Sequence, residues 1–220
     1  MVTMYVVRHC EAEGNSLKIY QGHTDLDITK AGKKQLEKLG ERFERVHIDR
    51  VYSSPLKRAR KTAAAIADKK GLPIIDNEGL IELYGGDFEG MRFAKIFSDY
   101  ADYENIWQNN PQNFCAPNGE SMRSLYERIW KAVLDIASQN DGKTVVISSH
   151  GGAIRTLLCK VLYDDIERLN EVPWSENTAV TKLIIDNGKA KIEYMNDASH
   201  LPEGYIPKNS RMDNMMEADK

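Results

Sequence analysis

Short runs rich in β-branched residues alternate along this chain with longer stretches of helical periodicity, and few architectures accommodate that alternation. Residues 2–7, 50–53, 73–76 and 144–149 (the last Thr-Val-Val-Ile-Ser-Ser) each read as a strand, the first and last apolar enough for burial on both faces. Thr29 opens a helix with the stripe Leu36, Leu39 and Phe43, and Ser121 opens another with Leu125, Ile129, Val133 and Ile136. Ser54 followed by Pro55 reads as a third helix start. Serine satisfies free amides there, and proline at the first helical position forfeits only an amide that is unpaired anyway. Its stripe is Leu56, Ala59, Ala63, Ile66 and Ala67, ended by Gly71. This order predicts an α/β fold, a mostly parallel central sheet flanked by helices on both faces. Residues 179–186 and 189–196 flank Asn187-Gly188, whose positive φ angles suit a type I′ turn, so a C-terminal hairpin is expected at the sheet edge.

Residues 78–118 break the pattern with a Gly-rich segment and then Phe93, Phe97, Tyr100, Tyr103 and Trp107 at helical spacing. This segment is expected to be a helical insertion covering the site, its aromatics mostly core with one or two lining a pocket. No lysine or arginine occurs from Ile96 to Met122, where Asp99, Asp102, Glu104 and Glu120 lie, so a doubly anionic ligand is expected to meet repulsion there. At 220 residues the chain suits a single domain over 1–220, burying roughly 70% of its unfolded surface. The polar, unpatterned stretch from about 203 to 220 is expected to be loosely ordered.

Lys and Arg number 30 against 33 Asp and Glu, a net charge of -3, which argues against nucleic acid or an anionic membrane as partner. An anionic ligand must then be held by local cations. No apolar run approaches the roughly 20 residues that cross a bilayer, and the first residues lack a secretory pattern. Cys10, Cys115 and Cys159 are odd in number and without a C-x-x-C pair, which indicates neither a disulfide framework nor a zinc site; a cytoplasmic setting is expected.

In open parallel sheets, ligands gather beyond the carboxyl ends of the strands. Arg8 and His9 stand at the end of the first run, Ser53 and Ser54 at the end of the second with Arg58 one turn on, and His150 with Gly151 and Gly152 at the end of the fourth. Two arginines and two histidines from distant segments therefore meet at one edge. Guanidinium forks suit the equatorial oxygens of a phosphoryl group, and a neutral imidazole attacks phosphorus without prior deprotonation. His9, beside Arg8, is the candidate nucleophile and His150 its electrostatic partner. A departing alkoxide also needs a proton, for which Glu82 is the best-placed donor, ahead of Glu89 and Asp87. His23, His47 and His200 read as loop or surface residues.

At these residues the chain resembles the histidine phosphatase superfamily, in its phosphoglycerate mutase-like branch. Arg8-His9-Cys10-Glu11-Ala12-Glu13-Gly14-Asn15 is similar to the family's Arg-His-Gly-Glu-Thr-x-x-Asn signature, with Cys10 where glycine is usual. The segments Tyr52 to Ala59, Glu82 to Gly90 and Ser149 to Gly152 are similar to those carrying the second arginine, the proton donor and the second histidine, and the match runs in order from Val2 to about Leu201. The resemblance implies a phosphohistidine at His9, Glu82 as acid and then base, and Arg8, Arg58 and His150 around the phosphoryl group. Asn15, Gln21, Gly22 and Gly151 fall at positions that contact phosphate or the rest of the substrate, and neither metal nor cofactor is implied.

The favoured expectation is a phosphatase acting on small phosphomonoesters with a neutral or partly apolar alcohol part. The alternatives are a phosphoglycerate mutase, which needs cations for a second anion, and a binding module that keeps the pocket without turnover. Pure binding requires neither nucleophile nor acid, so the pairing of His9 with Glu82 favours an enzyme.

Overall fold

The computed structural model describes residues 1–205, so the expectation of a loosely ordered tail falls almost wholly outside the described residues. In chain order the elements are β1 (Val2–Arg8), α1 (Glu13–Ser16), α2 (Lys30–Phe43), β2 (Arg50–Ser53), α3 (Lys57–Ala67) and β3 (Ile74–Asp76). There follow α4 (Phe93–Asp99), α5 (Ala101–Asn109), α6 (Met122–Ser138), β4 (Thr144–Ser149), α7 (Gly151–Tyr163), β5 (Val180–Asp186) and β6 (Lys189–Asp197). The strands form one sheet in the order β3-β2-β4-β1-β5-β6. β3, β2, β4 and β1 are mutually parallel, whereas β5 runs antiparallel to β1 and pairs with β6 as the edge hairpin. Asn187 and Gly188 take φ values of 47 and 75°, as the primed turn requires.

Alternation along the central strands separates two apolar layers. Met4, Val6, Val145 and Ile147 pack toward α6 and α7 with Leu125, Ile129, Val133, Leu157 and Leu158. Val7, Val51 and Val146 face the other way, onto α2 and α3 through Leu39, Phe43, Ala63 and Ile66. Each fully buried Leu, Ile or Val contributes about 1.5–3 kcal/mol, so the strand ends that carry the polar residues project from a rigid platform.

The Thr29 hydroxyl accepts the Gly32 amide at 3.0 Å and that of Ser121 accepts the Ser124 amide at 3.1 Å, as expected of helix caps. The start at Ser54-Pro55 is a correction. α3 begins at Lys57 with Leu56 as its flanking residue; the buried Ser54 hydroxyl meets His150 Nε2 at 2.7 Å and accepts the Leu56 amide only at 3.4 Å. The aromatic stretch also differs from a single helical stripe: the chain breaks at Tyr100, where φ is -135°, into α4 and α5.

Candidate active site

Register brings the strand ends level. Arg8 pairs with Ser149 and Ser53 with Ser148, and the ladder continues one residue further, His9 N donating to Ser149 O at 2.9 Å and Ser54 N to Ser148 O at 3.0 Å. His9, Ser54 and His150 therefore leave the sheet side by side. The two imidazole centroids lie 5.2 Å apart, and both rings are buried.

Each group is fixed by a different neighbour. His9 Nδ1 meets the Cys10 carbonyl at 2.6 Å, so the neutral ring donates there and carries its lone pair on Nε2. Burial, followed by the fields of Arg58 and Arg8, holds this imidazole well below its ordinary pKa, and it is neutral at pH 7. His150 is held down by burial and then by Arg58, and it is not among the residues that line the cavity. Arg58 is almost fully buried. Its NH1 and NH2 donate to Thr24 O at 2.9 Å and Gly22 O at 2.7 Å, while burial lowers its pKa to about 10. Arg8 NH1 donates to Ser175 O, and burial lowers this guanidinium too. The Nε atoms of both arginines and Nδ1 of His150 are buried with no partner among the described residues, and so is Gln21 Oε1. Arg8 and Arg58 both line the cavity, which suits it to an anion.

Glu82 reaches the amino end of α7, its carboxylate accepting Gly152 N at 2.9 Å, Ala153 N at 3.0 Å and Leu83 N at 2.9 Å. A side chain at position 152 would displace Glu82, because a Cβ there would lie 2.7 Å from its Oε1. Gly22 is constrained similarly, with φ at 42° and room for a Cβ only 1.9 Å from Glu89 Oε1. Glu89 is a clasp between loops, accepting the amides of His23, Thr24 and Gly85 and the Thr24 hydroxyl.

Of the residues singled out in the sequence, Arg8, His9, Asn15, Gln21, Gly22, Arg58, Glu82 and Gly151 line one cavity. Cys10 does not. Its thiol is buried, pushed up to about 12 by that burial, and packs toward Gly32 of α2. His23 is a loop residue, as expected, and its Nε2 meets Glu82 O at 3.0 Å. His200 is wedged between Arg42 and Thr178, while His47 is the exposed histidine that was expected.

A model of the histidine phosphatase superfamily (branch 1) matches residues 4–198. This chain belongs to that superfamily. Phosphoserine phosphatase 1 of Hydrogenobacter thermophilus is 32% identical over 209 residues, covering 94% of this chain and 97% of the relative. Among solved structures, Bacillus stearothermophilus YhfR is 28% identical, with a TM-score of 0.87 over 91% of this chain and 99% of that one. The H9A variant of Entamoeba histolytica phosphoserine phosphatase, solved with phosphoserine, is 29% identical, with a TM-score of 0.81 over 92% of this chain and 100% of that one. Relatives named as phosphoglycerate mutases match as well.

In this histidine phosphatase the rest of the cavity wall is apolar: Ile19, Tyr20, Leu83, Phe93, Trp107, Met122 and Trp174. Phe93 and Trp107 are the pocket aromatics anticipated from the insertion. Tyr20 and Trp174 were missed; Tyr20 is marked only by its neighbour Gln21, and Trp174 carries no local signal. Trp174 sits face to face with Trp107 at 5.9 Å, with the Arg155 guanidinium 4.6 Å from its ring centre. The same loop secures the Arg8-His9 segment, Asn177 Nδ2 donating to His9 O at 2.9 Å and Thr178 N to Arg8 O at 3.1 Å.

The expected acidic repulsion is a correction. Asp99, Asp102, Glu104 and Glu120 do not line the cavity; Asp99 pairs with Lys95, Glu104 accepts from Gln108 and Glu120 pairs with Arg128. What separates this wall from one suited to a second anion is its lack of further cations, since Arg8 and Arg58 are the only Lys or Arg among the described lining residues.

Proposed function

We propose that this enzyme hydrolyses small phosphomonoesters through a phosphohistidine at His9, with Glu82 moving the protons. The neutral Nε2 attacks phosphorus in line with the ester oxygen. As the P–N bond forms the P–O bond breaks, and the Glu82 carboxyl gives its proton to the departing alkoxide. Arg8 and Arg58 offset the charge on the equatorial oxygens, with the neutral His150 beside the His9 ring, as fixed donors that need no reorganisation during the reaction. Water then attacks phospho-His9, Glu82 takes its proton, and inorganic phosphate leaves with the imidazole restored. Asn15, Gln21, Gly22 and Gly151 complete the cradle.

The observation that carries this reading is the buried pair of guanidiniums with unpartnered Nε atoms beside an imidazole whose Nδ1 is already committed. The apolar wall supports an alcohol part that is neutral or partly apolar, in preference to phosphoserine or 3-phosphoglycerate. A mutase would need a second anion site, which the lining residues do not supply. The free cysteines support a reducing, cytoplasmic setting, and among the described residues no helix is long and apolar enough to cross a membrane.

The test is turnover of 4-nitrophenyl phosphate in EDTA by wild type and His9→Ala. Retained activity that vanishes in the variant supports the reading. A wild type inert across a phosphomonoester panel points to the binding module, and efficient mutase turnover of 3-phosphoglycerate with negligible hydrolysis points to the mutase.

A further inference from the structure

Arg128, on α6, lines no part of the cavity, yet it grips the backbone of the segment that carries Glu82. Its NH1 donates to Gly79 O at 3.1 Å and Ile81 O at 3.0 Å, and its NH2 to Glu82 O at 3.3 Å. The remaining carbonyl of that run, Leu80 O, is held by Ser149 Oγ of β4 at 2.7 Å. Four consecutive carbonyls, 79 to 82, are thus tied down in a stretch whose regular structure is only a three-residue turn over Glu78–Leu80. The guanidinium is itself oriented by Glu120, Nε to Oε1 at 2.9 Å and NH2 to Oε2 at 2.8 Å, and Glu120 N returns to Tyr84 O at 2.9 Å.

We infer that Arg128 is a positioning residue that, through the backbone, fixes where the Glu82 carboxyl stands relative to the ester oxygen. This rests on the reading of Glu82 as the proton donor. Glu82 is anchored at two ends, its side chain on the amides of Gly152 and Ala153 and its carbonyl between Arg128 and His23 Nε2, but only Arg128 also holds the carbonyls of Gly79 and Ile81 that lead into it. A proton transfer tolerates drift of the carboxyl poorly, because donor and acceptor must approach within hydrogen-bond distance. Only a planar fork with several fixed donors reaches three carbonyls and a carboxylate together, so lysine is not a conservative replacement here.

The consequence depends on the leaving group. 4-Nitrophenolate departs without a proton, whereas the alkoxide of benzyl phosphate, an ester of similar size and apolarity, does not. The experiment compares kcat/KM, which reports phosphoenzyme formation, for these two esters in wild type, Arg128→Lys, Glu120→Gln and Glu82→Gln, with thermal melts as the check on folding. Arg128→Lys is expected to lower kcat/KM for benzyl phosphate by about 10- to 100-fold while largely sparing 4-nitrophenyl phosphate, and Glu120→Gln to do the same more weakly. Glu82→Gln should show the same selectivity more strongly. If Glu82→Gln discriminates between the esters but Arg128→Lys and Glu120→Gln depress both equally, Arg128 only supports the fold and the inference fails. If Glu82→Gln itself shows no selectivity, the assignment of the acid fails instead.

Discussion

The floor of the cavity and its cover are held together by different forces. On the floor, at the ends of β1, β2 and β4, the side chains are polar, buried and individually specified: His9 by Cys10 O, Arg58 by two loop carbonyls, Glu82 by the start of α7. In the cover, over α4 and α5, rings are held by other rings, Trp107 on Phe114 at 4.7 Å and Phe88 on Tyr103 at 5.0 Å. The two are joined by backbone, Tyr20 N to Met91 O at 2.8 Å and Phe93 N to Lys18 O at 3.0 Å, and by ring contacts such as Trp174 on Trp107. A directional contact has one solution, so the floor holds each polar group in one place. Aromatic packing has many, so the cover is free to set what enters.

Substitutions in the two regions should accordingly fail in different ways. The largest effect belongs to His9→Ala, expected to lower kcat by about 10,000-fold or more with no loss of thermal stability, read from steady-state kinetics beside a melt. Phe114→Ala should do the reverse, costing about 3–5 kcal/mol in urea unfolding while kcat for 4-nitrophenyl phosphate holds below the transition. A smaller effect, about 10-fold, is expected from Trp174→Ala: its kcat/KM preference for benzyl phosphate over 3-phosphoglycerate should shrink, with inhibition by inorganic phosphate unmoved. An equal loss on both substrates would erase the distinction between floor and cover.

The smallest effect concerns pH. Burial and then Arg42 hold His200 at about 4 against an ordinary 6.5. The unfolded chain takes up the proton first, so the stability linked to this group is complete above pH 6.5 and is lost as the pH falls toward 4. Urea titrations of wild type and His200→Gln should diverge over that window, the variant losing less; parallel curves would show that other groups govern the acid limb.

The same difference in forces decides what could be read from the sequence. Arg8, His9, Ser54 and His150 were legible because strand ends and their continuation are local properties. The helix expected from Ser54 forms but starts later, at Lys57, and the serine hydroxyl makes its short contact with His150, 96 residues away in sequence. Glu82 could be ranked among its neighbours, but the amides that hold it, at 152 and 153, belong to another element. Arg128 and Trp174 left no trace, since their partners lie far along the chain. The acids of the insertion were countable, whereas the pairing of Asp99, Glu104 and Glu120 with Lys95, Gln108 and Arg128 is not something that counting reveals.

The most direct measurement is the chemical state of His9 during turnover. Wild type mixed rapidly with benzyl phosphate, quenched in alkali and digested should yield the His9 peptide heavier by one phosphoryl group, at a level that rises and decays with substrate. Turnover with no such peptide, or a phosphoryl group trapped on another residue, would contradict the account.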